Sequence, residues 1–164
     1  MTAPGVLFHG GVPGLWVGDV IVPNMAEHRY VDGCAHCEAQ RAGGETEIDP
    51  PTPPDWVYAT SDLLYARYYA SRAVRGTLYR VRLEGDIEPS TEDPFPTWRA
   101  RRAVVVRVPE RNVTLTWPER RRLFVRWGGT SEEFDAMVRS TLTARSTRKA
   151  TPAAVTSGTK GQRP

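Results

Sequence analysis

Residues 77 to 83, Thr-Leu-Tyr-Arg-Val-Arg-Leu, alternate between apolar and basic residues from Tyr79 onward. Tyr79, Val81 and Leu83 fall on one face of an extended chain, and the other face carries Leu78, Arg80 and Arg82. A period of two residues is typical of a strand with one face against the core. This stretch therefore predicts a half-buried β-strand, and the neighbouring segments are interpreted around it.

Similar short runs rich in β-branched or aromatic residues and bounded by Gly, Pro or Asp predict further strands. They are Val6 to His9, Asp19 to Val22, Trp56 to Thr60 and Ala103 to Val108. Between two strands, residues 61 to 72 carry apolar and aromatic residues at helical spacing, and Ser61 is expected to cap that helix. A second helix is predicted over 131 to 142, where Thr130 and Glu133 form a capping box. Its apolar stripe is Phe134, Met137, Val138 and Leu142, and it is expected to close the domain.

The charge of the chain is unevenly distributed. The 164 residues include 22 Lys+Arg and 19 Asp+Glu, for a net charge of +3. Five of the basic residues and no acidic ones lie in residues 141 to 164, so residues 1 to 140 carry a net charge of −2. Forty per cent hydrophobic residues predict a folded domain over residues 1 to 143, and the unpatterned basic tail over 144 to 164 is expected to be disordered.

Several classes of protein are disfavoured by this composition. No apolar run approaches the roughly 18 residues of a membrane span. The first residues lack the basic and apolar regions of a signal peptide, and two cysteines make no secreted disulfide scaffold. We therefore expect a cytoplasmic, monomeric protein without a membrane partner, and the acidic body disfavours nucleic acid as a partner.

Three features that bear chemistry occur in order along the chain. The first strand ends in Phe8-His9-Gly10-Gly11, and a strand after a long loop carries Tyr58. An acidic loop follows the strand over 77 to 83. A histidine beside glycines can present its ring where the backbone approaches a ligand closely. His9 alone, or Tyr58 alone, is more often structural, so only the combination of the two favours a site.

These stretches together resemble the ADP-ribosyltransferase superfamily, most closely the small bacterial rifamycin ADP-ribosyltransferases and their relatives. The matching stretches are LFHGG with GLWVGDVIVP, then WVYATSDLLYARYYASR, then GTLYRVRLEGDIEP with TWRARRAVVVRV, within residues 6 to 108. The resemblance implies an α+β fold in which two small β-sheets pack around a cleft that holds NAD, with few helices. It also implies mono-ADP-ribosyl transfer from NAD to a rifamycin-like small molecule or a macromolecule.

The resemblance implies roles for individual residues. His9 would hydrogen-bond the ribose next to nicotinamide, the backbone at Gly10 and Gly11 would approach the carboxamide, and Tyr58 would stack on the nicotinamide ring. Tyr69 would either close the pocket or pack in the core.

The carboxylate departs from the family pattern, because Ser90 stands where the relatives carry an acid. Glu88, Glu92 and Asp93 are the candidates to replace it. The alternative is a solvated turn before Pro94, in a protein that is inactive or serves as a non-catalytic binding module.

A competing signal lies in the loop of residues 24 to 55, where Cys34 and Cys37 have the spacing of a zinc knuckle. His28 and His36 are nearby, but the chain lacks a second cysteine pair, so zinc is disfavoured. A small zinc-stabilised nucleic-acid-binding protein is the least favoured alternative. The loop, together with the residues after 89, is expected to determine which acceptor the protein binds. The clusters Arg99 with Arg101 and Arg102, and Arg120 to Arg122, are interpreted as solvated strand edges or as contacts to a diphosphate or an acidic partner.

Overall fold

A seven-stranded antiparallel sheet with three helices makes up the parts of the chain that the structure describes, residues 5–23 and 56–150 of a computed structural model. All five predicted strands are present, and two short ones, β5 and β6, were not predicted. The elements in chain order are β1 (Leu7–Gly11), β2 (Val20–Ile21), β3 (Val57–Thr60), α1 (Leu63–Ala70), β4 (Thr77–Glu84), β5 (Glu88–Pro89), β6 (Thr97–Ala100), β7 (Arg102–Glu110), α2 (Trp117–Arg126) and α3 (Ser131–Ala150).

The strands form one sheet in the order β2-β7-β4-β1-β3-β6-β5, so the expectation of two separate sheets is wrong. The join in the middle of this sheet is nevertheless narrow. β1 pairs with β4 along its whole length, from Leu7 opposite Val81 to Gly11 opposite Thr77. β1 pairs with β3 only where Phe8 lies opposite Thr60. We call this narrow join between β1 and β3 the seam.

Strand β4 runs through the core as its alternation predicts. Tyr79, Val81 and Leu83 are buried in the main hydrophobic cluster. Leu78 on the opposite face is buried as well, because it packs with Ala66 and Ala70 of α1. The strand is therefore covered on both faces at its start and on one face further along.

Helix α1 packs unusually close to the sheet. A Cβ atom on Gly10 would lie 2.0 Å from the Ala66 carbonyl oxygen and 2.5 Å from the Ala70 nitrogen. Only glycine permits this approach. The helix is capped by Asp62, whose carboxylate accepts from the Tyr65 amide at 2.9 Å, and not by Ser61 as predicted. Asp62 directly precedes the first helical residue, which is the position a capping side chain must occupy.

Helix α2 carries Arg120 to Arg122, so their interpretation as strand edges is wrong. A capping box begins this helix: the Thr116 amide donates to Glu119 Oε2 at 2.8 Å, and the Glu119 amide donates to Thr116 Oγ1 at 3.4 Å. Glu119 also pairs with Arg67 of α1, which in turn pairs with Glu110 at 2.8 Å.

The chain divides into two units, Met1–Leu123 and Phe124–Pro164. In the second unit, the predicted capping box is confirmed: the Thr130 amide donates to Glu133 at 2.8 Å. Phe134 is buried against Phe124, with ring centroids 5.7 Å apart. Helix α3 continues to Ala150, so residues 144 to 150 of the predicted tail are helical, and residues 151 to 164 lie outside the described part. The Ala, Arg and Lys content of residues 144 to 150 favours helix.

Candidate active site

His9 is joined to the backbone of Tyr58 across the seam. Its Nδ1 donates to the Tyr58 carbonyl oxygen at 2.9 Å. Burial lowers the pKa of His9 below the ordinary 6.5, against the opposing effect of that hydrogen bond. Since a carbonyl only accepts, the neutral imidazole carries its proton on Nδ1 and leaves Nε2 as an acceptor. The ring is therefore fixed in the tautomer that can receive a hydrogen bond from a hydroxyl group.

The seam determines how His9 meets Tyr58. If the β1–β3 pairing continued beyond Phe8 and Thr60, Gly10 would lie opposite Tyr58. Instead, the His9 side chain donates a hydrogen bond to the Tyr58 carbonyl oxygen. Strand alternation puts the Tyr58 side chain on the face of Phe8 and Thr60, and His9 on the opposite face. The structure thus brings the imidazole to the backbone of Tyr58 and not to its ring.

The two glycines after His9 have different reasons to lack a side chain. A Cβ on Gly11 would lie 3.0 Å from His9 Nε2, closer than ordinary packing allows. A Cβ on Gly10 would instead strike the backbone of α1. Gly11 therefore keeps the space beside the acceptor nitrogen open, and Gly10 is required for the packing of helix on strand.

Tyr58 also contacts the acidic loop after β5. Its hydroxyl donates to Glu92 Oε2 at 3.0 Å. The other oxygen of Glu92 accepts from Arg99 Nη1 at 2.9 Å, and Arg99 Nη2 donates to Glu88 at 3.1 Å. Of the three candidate acids, Glu92 is thus the one bonded to the predicted site tyrosine. Glu88 is held on the far side of the arginine.

Asp93 lies in the same loop but faces the helix. The buried Tyr65 of α1 donates to one Asp93 oxygen, and the Ser90 hydroxyl donates to the other at 3.2 Å. The Ser90 hydroxyl also accepts from the Glu92 amide at 3.3 Å. Ser90 therefore shapes the loop that presents Glu92.

Tyr69 extends this chain of hydroxyls toward solvent. Its hydroxyl lies 3.1 Å from that of Tyr65, and its side chain is 38% exposed, so it is not a core residue. Burial is the main cause that raises the pKa of Tyr58, Tyr65 and Tyr69. All three phenols therefore stay protonated at neutral pH and act as hydrogen-bond donors.

Two residues of this arrangement were missed as site residues. Arg99 was grouped with its neighbours as a basic cluster, and Tyr65 was assigned only to the apolar side of a helix. The first omission follows from β6, which was not predicted. Its pairing with β5 places Arg99 opposite Glu88, and its pairing with β3 places Arg99 opposite Tyr58. The signal in the sequence is the pair of acids Glu88 and Glu92 before a turn, with Arg99 after it.

The described residues contain no group of three or more His, Cys, Asp or Glu side chains able to hold a metal ion. Cys34 and Cys37, together with His28 and His36, lie outside the described residues. Within the same ranges, none of the helices combines the length and the apolar character needed to cross a membrane.

Comparison of the sequence with protein-family models and with curated proteins found no match.

Proposed function

We propose that the protein is an NAD-dependent mono-ADP-ribosyltransferase, which transfers ADP-ribose from NAD to an acceptor and releases nicotinamide. One observation carries this proposal. His9, Tyr58 and Glu92 come from three separate stretches of sequence, and two hydrogen bonds join them, from His9 to the Tyr58 carbonyl and from the Tyr58 hydroxyl to Glu92. The family resemblance points to His9 and Tyr58, and Glu92 is one of the three acids that could replace the family acid at the position of Ser90.

The residues around His9 fit a nucleotide sugar. The neutral ring offers Nε2 as an acceptor for a ribose hydroxyl, and the missing side chain of Gly11 leaves space beside it. The Tyr58 ring, partly exposed on the other side of the seam, is available to stack on nicotinamide. The family resemblance gives the backbone of Gly10, the next residue of β1, the role of holding the carboxamide.

The reaction needs a carboxylate more than any other group. The bond between the ribose C1 and the nicotinamide nitrogen breaks, and its electron pair leaves with neutral nicotinamide. The ribose then carries positive charge, which a nearby carboxylate stabilises. The acceptor forms a new bond to C1 and loses a proton, which Glu92 accepts and passes to water. One proton is released in each turnover.

The acceptor belongs to one of two classes, a rifamycin-like small molecule with a reactive hydroxyl or a macromolecule. The loop over 24 to 55, which we expect to choose it, lies outside the described residues. An assay with both classes distinguishes them without knowledge of that loop.

The test is incubation of the purified protein with NAD, with nicotinamide release followed alone, with a rifamycin and with a protein extract. We expect release that exceeds the rate without enzyme and is lost in His9→Ala. Loss of the bond to the Tyr58 carbonyl should lower the melting temperature of this variant, so its cooperative unfolding is measured to show that it remains folded. Absence of both turnover and any rise in melting temperature with NAD would contradict the proposal. Arg82→Ala, at an exposed strand arginine that pairs with Glu84 outside the site, is the control.

A second candidate is a non-catalytic module that binds NAD. Both oxygens of Glu92 are engaged, by Tyr58 and by Arg99, and Ser90 replaces the family acid. These contacts favour this candidate. In that case NAD should raise the melting temperature, but no nicotinamide should appear with any acceptor.

A further inference from the structure

Arg99 stands at the centre of the acidic groups around Tyr58. It lies in β6 opposite Tyr58 of β3 on one side and opposite Glu88 of β5 on the other. Its guanidinium donates to Glu92 through Nη1 at 2.9 Å, and to a single oxygen of Glu88 through Nη2 at 3.1 Å and Nε at 3.3 Å. One planar group thus fixes two carboxylates on neighbouring segments.

Arg99 is less exposed than two other ion-paired strand arginines, Arg82 and Arg102. It stacks over the Trp56 ring at 4.8 Å, and its side chain is 24% exposed. Arg82 and Arg102, which pair with Glu84, are 66% and 51% exposed. The Arg99 guanidinium is preorganised, because it contacts the Trp56 ring with its face and the two carboxylates with its N–H groups. A loop carboxylate without such an arginine partner has many rotamers.

We propose that Arg99 is a positioning residue that holds Glu92 against the Tyr58 hydroxyl, and that Glu88 anchors Arg99 and does not act as a second acid. The inference rests on the proposed function and assigns separate roles to the candidate acids. Glu92 is the only one of the three that bonds both Tyr58 and Arg99. Its position is therefore set from both oxygens before any substrate arrives.

The kinetic test compares Arg99→Gln, Arg99→Lys and Arg82→Gln in nicotinamide release from NAD. Displacement of a reacting group by about 1 Å costs up to roughly 100-fold in rate. We therefore expect Arg99→Gln to lower kcat by about 10- to 100-fold with the KM for NAD within about twofold. Arg99→Lys should retain more of kcat, because its ammonium can still bind one carboxylate. Arg82→Gln, also an ion-paired strand arginine, should leave both parameters unchanged.

Glu88→Gln separates anchoring from acid catalysis. An anchor acts through Arg99, so Glu88→Gln added to Arg99→Gln should lower kcat no further than Arg99→Gln alone. A multiplicative loss in the double variant would overturn the assignment of Glu88. An unchanged kcat in Arg99→Gln would overturn the assignment of Arg99, while a wild-type protein that releases no nicotinamide contradicts the proposed function instead.

A second measurement does not depend on turnover. The coupling between Tyr58→Phe and Glu92→Gln in melting temperature is measured twice, in the wild-type chain and in the Arg99→Gln background. If Arg99 holds Glu92 in place, the coupling present in the wild-type chain disappears in that background. Equal coupling in both would overturn the inference even if the protein proves to be a non-catalytic module.

Discussion

The Tyr58 hydroxyl donates a hydrogen bond of 3.0 Å to Glu92, two residues beyond the position where the resemblance places an acid. The loop conformation accounts for this shift. Ser90 accepts from the Glu92 amide, and its own hydroxyl donates to Asp93. The serine thus turns the chain so that the next two acids point in different directions, one toward Tyr58 and one toward Tyr65.

The first prediction concerns Glu92 itself. Glu92→Gln retains the shape of the side chain but removes the charge that would stabilise an oxocarbenium-like ribose. We expect nicotinamide release to fall by about 100-fold or more, the usual cost of losing a general base, with little change in NAD affinity. Turnover and NAD titration by melting temperature measure both. Glu84→Gln, a strand carboxylate that also pairs with arginines, is the control, and an equal loss there would refute a specific role for Glu92.

The second prediction concerns pH and His9. Burial lowers the pKa of His9 below the ordinary 6.5, so the unfolded chain binds more protons than the folded one just below that pH. Stability attributable to His9 is therefore complete above pH 6.5 and declines as the pH falls toward the lowered pKa. Below that pKa the protonated ring also loses its acceptor at Nε2, and turnover should fall.

His9→Gln isolates this effect, because glutamine does not titrate. Chemical unfolding of both proteins is measured from neutral pH into the acid range. The unfolding free energy of the variant should fall less steeply with falling pH, because it lacks the contribution of His9. The prediction is wrong if the two proteins lose stability in parallel.

The third prediction separates the two glycines of β1. Gly10→Ala would place a methyl group against the α1 backbone, which cannot move without shifting the helix, so we expect a loss of about 2 to 3 kcal/mol in unfolding free energy. Gly11→Ala meets only the His9 ring and should chiefly reduce NAD-dependent activity. Gly5→Ala, with nothing within 4 Å of the new methyl group, is the control. Urea unfolding and nicotinamide release on all three variants test this; equal destabilisation by all of them would contradict it.

The longer elements could be predicted from local pattern, and the shorter ones could not. Strand β4 is eight residues long and alternates from Tyr79 to Glu84, whereas β5 has only two residues, too few for any period to appear. Helix α2 is a different case, because Thr116 and Glu119 carry the same capping signal as Thr130 and Glu133. The start of α2 is therefore predictable from the sequence by the same rule as the start of α3.

The site itself was predictable as a set of residues but not as a set of contacts. His9, Tyr58 and Glu92 were all candidates, yet the bond from His9 runs to a backbone carbonyl. That contact depends on where β1 and β3 stop pairing, which is a tertiary property. The choice among three acids likewise depends on Arg99, whose partners are fixed by the pairing of β5 with β6.

The fourth prediction concerns the acid stability of the first unit. Hydrogen bonds from the Thr116 amide, followed by the Arg67 guanidinium, lower the pKa of Glu119 from 4.5 to about 2. The stabilisation from Glu119 is therefore complete above pH 4.5 and is lost as the pH falls from 4.5 to about 2. Glu119→Gln keeps an acceptor for the capping box but loses the charge that pairs with Arg67, so it should cost about 1 kcal/mol at neutral pH, and this difference should vanish near the lower limit. Urea unfolding across this range measures it. Because the loss follows protonation of one carboxyl, a difference between wild type and variant that persists at acid pH would mean that the amide geometry, and not the charge, makes Glu119 stabilising.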